Sequence, residues 1–405
     1  MKRPFLSPDL VVILSGVSAA LHVGKLPPAL PVLREALGIT LLQAGFLLSL
    51  VQLAGMTLGL AVGLTADGLG LRRSMLTGLS ILSVASALGG WANGASELLW
   101  LRAIEGFGFL LVALPAPSLI RQLVPLERLS LKLGLWGAYM PFGTALALLT
   151  GPWVMGVLGW PGWWWSLAAL SAGMALWMAL AVPPDGQRRM AGPTQTSAAG
   201  SSTSQDGWWH RMRQTLAVPG PWLVALAFAM YSSQWLAVIG FLPSIYAQAG
   251  LTGQVAGALT ALAAAVNVLG NITSGRLLHS GIRPKRLLYI GFTAMALGAY
   301  LTFGLPADSS PLLRYGAVLL FSAVGGLIPG TLFSLAVHLA PSDKTISTTI
   351  GWVQQCSAIG QFAGPPLVAW VAGAAGGWQW TWVVTGASSV AGLLLSARIA
   401  HKPRA

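Results

Sequence analysis

Four ionisable residues fall inside long apolar runs, in two pairs: His22 with Lys25, and Arg102 with Glu105. The members of each pair stand three residues apart, so on a helix they share one face. An ionisable side chain inside a bilayer is costly and by default marks a functional position. Glu105 is the acid set well inside a run. A buried carboxylate can trade its arginine partner for a proton, and solute binding can be tied to that trade. A static Arg102–Glu105 pair that anchors its helix is the competing possibility. The imidazole of His22 suits proton exchange near neutral pH. Lys25, Arg102 and His22 together bias their surroundings toward an anion or a hydrogen-bond acceptor, unless Lys25 snorkels to the outer interface. Pro27, Pro28 and Pro31 follow directly. They bend or interrupt the helix and free backbone carbonyls.

The second half of the chain offers neutral polar groups instead. Tyr231, Gln234 and Trp235 cluster with Ser232 and Ser233 in one apolar run, and Gln354 and Gln355 interrupt another. Tyr231, Gln234, Trp235 and Gln354 are the candidates for solute contact here. Interhelical hydrogen bonds of roughly 0.6 kcal/mol each explain such residues equally well. The sequence shows no metal-ligand spacing, no phosphate-cradling loop and no nucleophile elbow. Cys356 is the single cysteine. The expectation is no enzyme, no metal and no cofactor.

The elements that carry these residues follow from composition. Of 405 residues, 55% are hydrophobic and 8% are charged, against about 25% charged in a soluble domain. Such a chain belongs in a lipid bilayer. Taking roughly 20 apolar residues per helical span, twelve spans emerge, near 9–30, 41–63, 74–93, 97–120, 131–155, 162–182, 219–247, 254–275, 286–305, 312–339, 347–373 and 378–398. Nineteen of the 23 lysines and arginines fall between spans or at termini on one side. Cationic loops mark the cytoplasmic side, so both termini are expected there, in a multi-pass protein of a bacterial-type inner membrane. The net charge of +13 then points to the anionic cytoplasmic leaflet rather than nucleic acid.

Residues 183–218 differ in kind. They run from Pro183-Pro184-Asp185 through a Gly/Ser-rich stretch to Trp208-Trp209-His210-Arg211. A flexible linker is expected, ending in a short interfacial helix. It divides the chain into bundles at 1–182 and 219–405. The loop Gly63-Leu-Thr-Ala-Asp67-Gly-Leu-Gly70-Leu-Arg72-Arg73 follows span two, and a degenerate copy, Gly275–Arg286, follows span eight. Corresponding loops in two halves indicate parallel repeats.

These features resemble the major facilitator superfamily. The loop matches the family's span 2–3 motif at Gly63, Ala66, Asp67, Gly70 and Arg72, and departs at Thr65, Gly68 and Leu71. Arg102-Ala-Ile-Glu105-Gly106-Phe-Gly108 matches the fourth-span motif, with Glu in place of Gln. Leu30-Pro31-x-Leu-Arg34 is similar to the branch that includes cyanate and nitroimidazole transporters. The resemblance implies an all-α polytopic fold of two six-helix bundles working by alternating access. It implies an inner-gate role for Gly63, Asp67, Gly70, Arg72 and Arg73. Combined with the cationic bias, it implies proton-coupled movement of a small anionic or weakly acidic organic solute by a monomer. His22, Lys25, Arg102, Tyr231, Gln234, Trp235 and Gln354 are the candidate binding residues, with Glu105 and His22 for proton coupling. A drug or metabolite efflux antiporter with an apolar cavity is the alternative.

Overall fold

The computed structural model describes residues 7–59, 70–125, 128, 132, 135–185, 208–306, 308–342 and 345–399. Regular structure among them is helical. Span one is α1 (Pro8–Gly24) followed by α2 (Leu26–Leu37), with Lys25 at the joint. The break is local chemistry: Pro27 and Pro28 cannot donate to the carbonyls one turn back. Span two begins as α3 (Leu41–Ser49), where Thr40 and Gln43 form a reciprocal capping box. It tightens into a 3-10 turn at Leu50–Gln52 and continues to Gly59. Span three is α4 (Leu71–Gly89). Span four is α5 (Ala95–Ala113) and α6 (Ala116–Leu123), broken at Leu114-Pro115, where proline removes a helix donor. Spans five and six form α7 (Tyr139–Ala181), which reverses at Gly159 with φ 71° and ψ 174°. Glycine reaches that left-handed φ without a Cβ clash.

A short helix, α8 (Trp208–Leu216), precedes the second half. Spans seven and eight are α9 (Pro219–Gln248) and α10 (Gly253–His279). Span nine is α11 (Pro284–Ala299) with a π-turn at Tyr300–Gly304. Span ten bends at Gly326 between α12 (Pro311–Gly325) and α13 (Leu327–His338). Spans eleven and twelve are α14 (Ile346–Ala374) and α15 (Thr381–Arg398). Nine segments of the described residues are long and apolar enough to cross a membrane. One of these, Tyr139–Ala181, crosses twice, and α4 and α14 complete twelve. Gly63, Asp67 and most of the 183–218 linker lie outside the described residues.

The spans pack as two bundles, α1–α7 and α9–α15. The ends that carry Arg72, Arg73, Arg276, Lys285 and Arg398 are called here the basic face, and the opposite ends the far face. On the far side one apolar core crosses both bundles, running from Leu30, Leu47 and Leu148 to Phe241, Ala264 and Val368. On the basic side the first bundle keeps its own core of Val11, Met75, Leu79, Ile120 and Met178. Glycines bring the bundles together on the far side. A Cβ on Gly45 of span two would lie 2.8 Å from Pro366 Cα of α14. One on Gly257 of α10 would lie 2.6 Å from the Leu148 carbonyl oxygen. The molecule is therefore closed at its far face.

Candidate functional site

The joint in span one exposes backbone carbonyls inside the first bundle, and Arg102 fills them. Its Nη1 donates to the His22 carbonyl at 2.5 Å and its Nη2 to the Val23 carbonyl at 3.2 Å. The Val23 carbonyl is the one that Pro27 cannot serve. Nε of Arg102 donates to the Leu47 carbonyl of span two at 3.1 Å. The same guanidinium reaches Glu105 Oε2, one turn along α5, at 2.9 Å. One arginine thus ties spans one, two and four together.

Lys25 completes the group. Its Nζ pairs with Glu105 Oε1, donates to Ser86 Oγ of α4 at 3.1 Å, and lies 4.7 Å from the Trp164 ring centre. Lys25 is fully buried, and Arg102 and Glu105 are each 2% exposed. The lysine head therefore stays inside rather than snorkelling to an interface. A buried charge needs pairing and hydrogen bonds to offset its lost hydration. Here two cations share one carboxylate, and the backbone carbonyls carry much of the remaining demand.

His22 approaches from the basic side of the cluster. Its Nδ1 lies 3.6 Å from Glu105 Oε1 and has no hydrogen bond. Its Nε2 lies 2.7 Å from Ser171 Oγ of span six, which in turn lies 3.3 Å from Ser18 Oγ. A cavity of about 10 Å³ adjoins Arg102 and Glu105, walled by Leu26, Leu47, Leu98, Leu101 and Trp164. The two i,i+3 pairs seen in the sequence are thus one cluster. Ser18, Ser86 and Ser171 belong to it too, but serines in apolar helices are too common to single out.

The candidate residues of the second half divide. Tyr231, Gln234 and Trp235 turn into their own bundle. The Tyr231 hydroxyl and the Asn267 amide meet at 3.0 Å, and Asn267 Nδ2 also donates to the Ser322 carbonyl at 2.8 Å. Trp235 Nε1 donates to Ser322 Oγ at 3.2 Å. Gln234 donates to the Met230 carbonyl and accepts from Ser389 Oγ at 2.9 Å. These groups link spans seven, eight, ten and twelve. Gln354 is exposed. At 100° per residue it stands on the opposite side of α14 from the exposed apolar residues Ile359, Leu367 and Trp370.

Of the loop motif, Gly70, Arg72 and Arg73 are described. Gly70 has φ +89°, and a Cβ there would lie 2.6 Å from Asp185 Oδ2. The Asp185 carboxylate accepts from the backbone N–H groups of Arg72 and Arg73 at 3.1 and 3.3 Å. An acid at a helix N-terminus satisfies free donors and the helix dipole. Arg72 Nη2 donates to the Ala179 carbonyl at 2.6 Å. Glycine at position 70 thus lets the end of span six clamp the start of span three. The sequence did not reveal Asp185, because its partners lie 112 and 113 residues away.

Residues 10–349 match the Major Facilitator Superfamily. The chain belongs to this superfamily. It is a membrane transporter and not an enzyme. It is 24% identical over 339 residues to cyanate transport protein CynX of Escherichia coli (strain K12), covering 82% of this chain and 80% of that one. Its fold is similar to a bacterial homologue of the human lysosomal transporter Spinster, solved in an inward-facing and occupied conformation. The TM-score there is 0.80 at 16% identity, over 98% of both chains. A D-xylose–proton symporter superposes with a TM-score of 0.75 at 16% identity, over 97% of both chains. Within the superfamily fold, the Lys25–Glu105–Arg102 cluster lies in the first bundle, where α2, continuing directly from Lys25, packs against α9 and span two packs against α14.

Proposed function

We propose that this superfamily member is a secondary transporter that moves a small anionic or weakly acidic organic solute together with protons. The observation that carries the reading is the buried cluster of two cations sharing one carboxylate. When Glu105 takes a proton, Lys25 and Arg102 lose their counter-charge. Uncompensated charge in a poorly solvated interior acts strongly over several ångströms, so an anion in the adjoining gap is favoured in that state. Proton and anion then bind together, which is the requirement for coupled transport. The relative named as a cyanate transport protein supports a small anion as cargo.

In this reading residues 1–182 and 219–405 rock as bodies joined by the 183–218 linker. The basic face is cytoplasmic, as the distribution of lysine and arginine favours, and the far-closed structure is inward-facing. Gln354 contacts solute in the gap. Tyr231, Gln234 and Trp235 shape the wall from behind. Gly63, Asp67, Gly70, Arg72 and Arg73 latch the inner gate, with Asp185 as anchor.

Uptake of radiolabelled cyanate into proteoliposomes, acidic outside, tests this, with protein-free liposomes subtracted. Accumulation above equilibrium that a protonophore abolishes is the expected result. Glu105→Gln should lose that accumulation while sparing cyanate counterflow. Vesicles that ignore cyanate and other small organic acids but export hydrophobic toxicants would establish efflux instead.

A further inference from the structure

The polar contacts around Glu105 extend beyond its two cations. On the basic flank His22 presents a bare, buried Nδ1 to the carboxylate at 3.6 Å. Behind it the order is Nε2, Ser171 Oγ at 2.7 Å, and Ser18 Oγ a further 3.3 Å on. All three side chains are 2% exposed or less. Ser15, one turn nearer the basic face on α1, is also fully buried, and its hydroxyl donates to the Val11 carbonyl. The cavity of about 10 Å³ lies against the same carboxylate, with Leu98 and Leu101 of α5 beyond it. A space of that size beside two charged side chains suits a single water.

We propose that Ser18, Ser171 and His22 form a proton relay to Glu105 inside the first bundle, between spans one and six, with one water seated against the carboxylate. The inference rests on the proton-coupled reading and names the route. The relay needs no permanent bond change other than O–H and N–H exchange. A hydronium ion from the far-side solvent gives its proton to Glu105 through the seated water and leaves as water, and Glu105 gives that proton to His22 Nδ1. His22 Nε2–H passes to Ser171 Oγ as the Ser171 hydroxyl proton passes to Ser18. The Ser18 hydroxyl proton passes to a solvent water on the basic side, which leaves as hydronium, and rotation of the hydroxyls with imidazole tautomer exchange resets the chain. One proton moves in total.

The charged and titratable groups that meet this path are Lys25 on span one and Arg102 and Glu105 on span four. Span two contributes the Leu47 carbonyl, span three Ser86, and span six Ser171 and Trp164. Lys25 takes one acceptor site on Oε1 of Glu105 and Arg102 one on Oε2, which leaves one site for the water and one toward His22. With the water on the entry side, the outlet for a proton is His22 Nδ1, 3.6 Å from Oε1.

Ser171 and Ser18 are positioning and relay residues, so the readout must separate coupling from packing. In proteoliposomes with radiolabelled cyanate, Ser171→Ala should reduce proton-driven accumulation at least tenfold and keep counterflow within twofold of wild type. Ser18→Ala should act in the same direction. Ser171→Thr keeps the hydroxyl and should restore accumulation. Full accumulation in Ser171→Ala, alongside loss in Glu105→Gln, overturns the relay and leaves coupling at Glu105 intact. Equal loss of accumulation and counterflow in both alanine variants assigns the serines to packing and also overturns it. Undiminished uphill uptake in Glu105→Gln, or none in wild type, removes the coupling reading and the relay with it.

Discussion

Replacing Glu105 with glutamine keeps the side chain's shape and removes the one carboxylate between Lys25 and Arg102. Breaking a buried ion pair by removing one partner costs about 3–5 kcal/mol. The structure says where that cost falls. Arg102 keeps the carbonyls of His22, Val23 and Leu47 as acceptors, at 2.5, 3.2 and 3.1 Å. Lys25 keeps the Ser86 hydroxyl and the face of Trp164. Most of the cost therefore sits on the lysine. Adding Lys25→Met to Glu105→Gln should recover about 2–3 kcal/mol, near the upper end of coupling energies between residues in contact. Lys25→Met alone should be close to neutral, since Arg102 still serves Glu105 and apolar groups often replace buried ions without loss. The assay is thermal unfolding of the four proteins in one detergent, compared as a rank order at one scan rate because such unfolding is rate-governed. Glu105→Gln should unfold lowest and the double variant clearly above it. A double variant that unfolds at or below Glu105→Gln would refute the assignment of the cost to Lys25.

Gly257→Leu places a side chain where a Cβ already lies 2.6 Å from the Leu148 carbonyl oxygen. It should hold the far face open, seen as increased thiol labelling of a cysteine introduced there, and slow transport at least tenfold. Asp185→Ala removes the cap on α4 and should cost about 0.5–2 kcal/mol, read as a lowered unfolding midpoint. Gln354→Ala should raise the cyanate concentration for half-maximal uptake with an unchanged unfolding midpoint. Tyr231→Phe should show the reverse pattern, losing about 1 kcal/mol of stability with the removed hydrogen bond and leaving solute affinity within twofold.

The fold was legible because a bilayer restricts the choices. A chain with 8% charged residues and apolar runs of helical length has few arrangements that satisfy its backbone in lipid. The basic loops, the Gly/Ser linker and the repeated glycine-basic turn supplied order and symmetry. The i,i+3 spacings of His22 with Lys25 and of Arg102 with Glu105 were legible as shared helix faces. That both faces look at one another was not, since it depends on which spans pack side by side. The freed carbonyls of span one were expected from Pro27 and Pro28. The donor to one of them, the Val23 carbonyl, is Arg102, 79 residues away. Tyr231, Gln234 and Trp235 show a second limit. Polar residues that face their own bundle have the same helical period as residues that face a solute, and only partners such as Asn267, Ser322 and Ser389 tell them apart.

Proton and solute flux recorded in the same vesicles tests proton coupling through Glu105 most directly. Proteoliposomes with a trapped pH dye and no imposed gradient receive radiolabelled cyanate, and both signals are followed. Wild type should acidify its interior as cyanate enters, at a fixed ratio of protons to solute, while Glu105→Gln shows no acidification above that of empty liposomes. Cyanate entry through the wild-type protein with no accompanying proton, or equal acidification with glutamine at position 105, would contradict it.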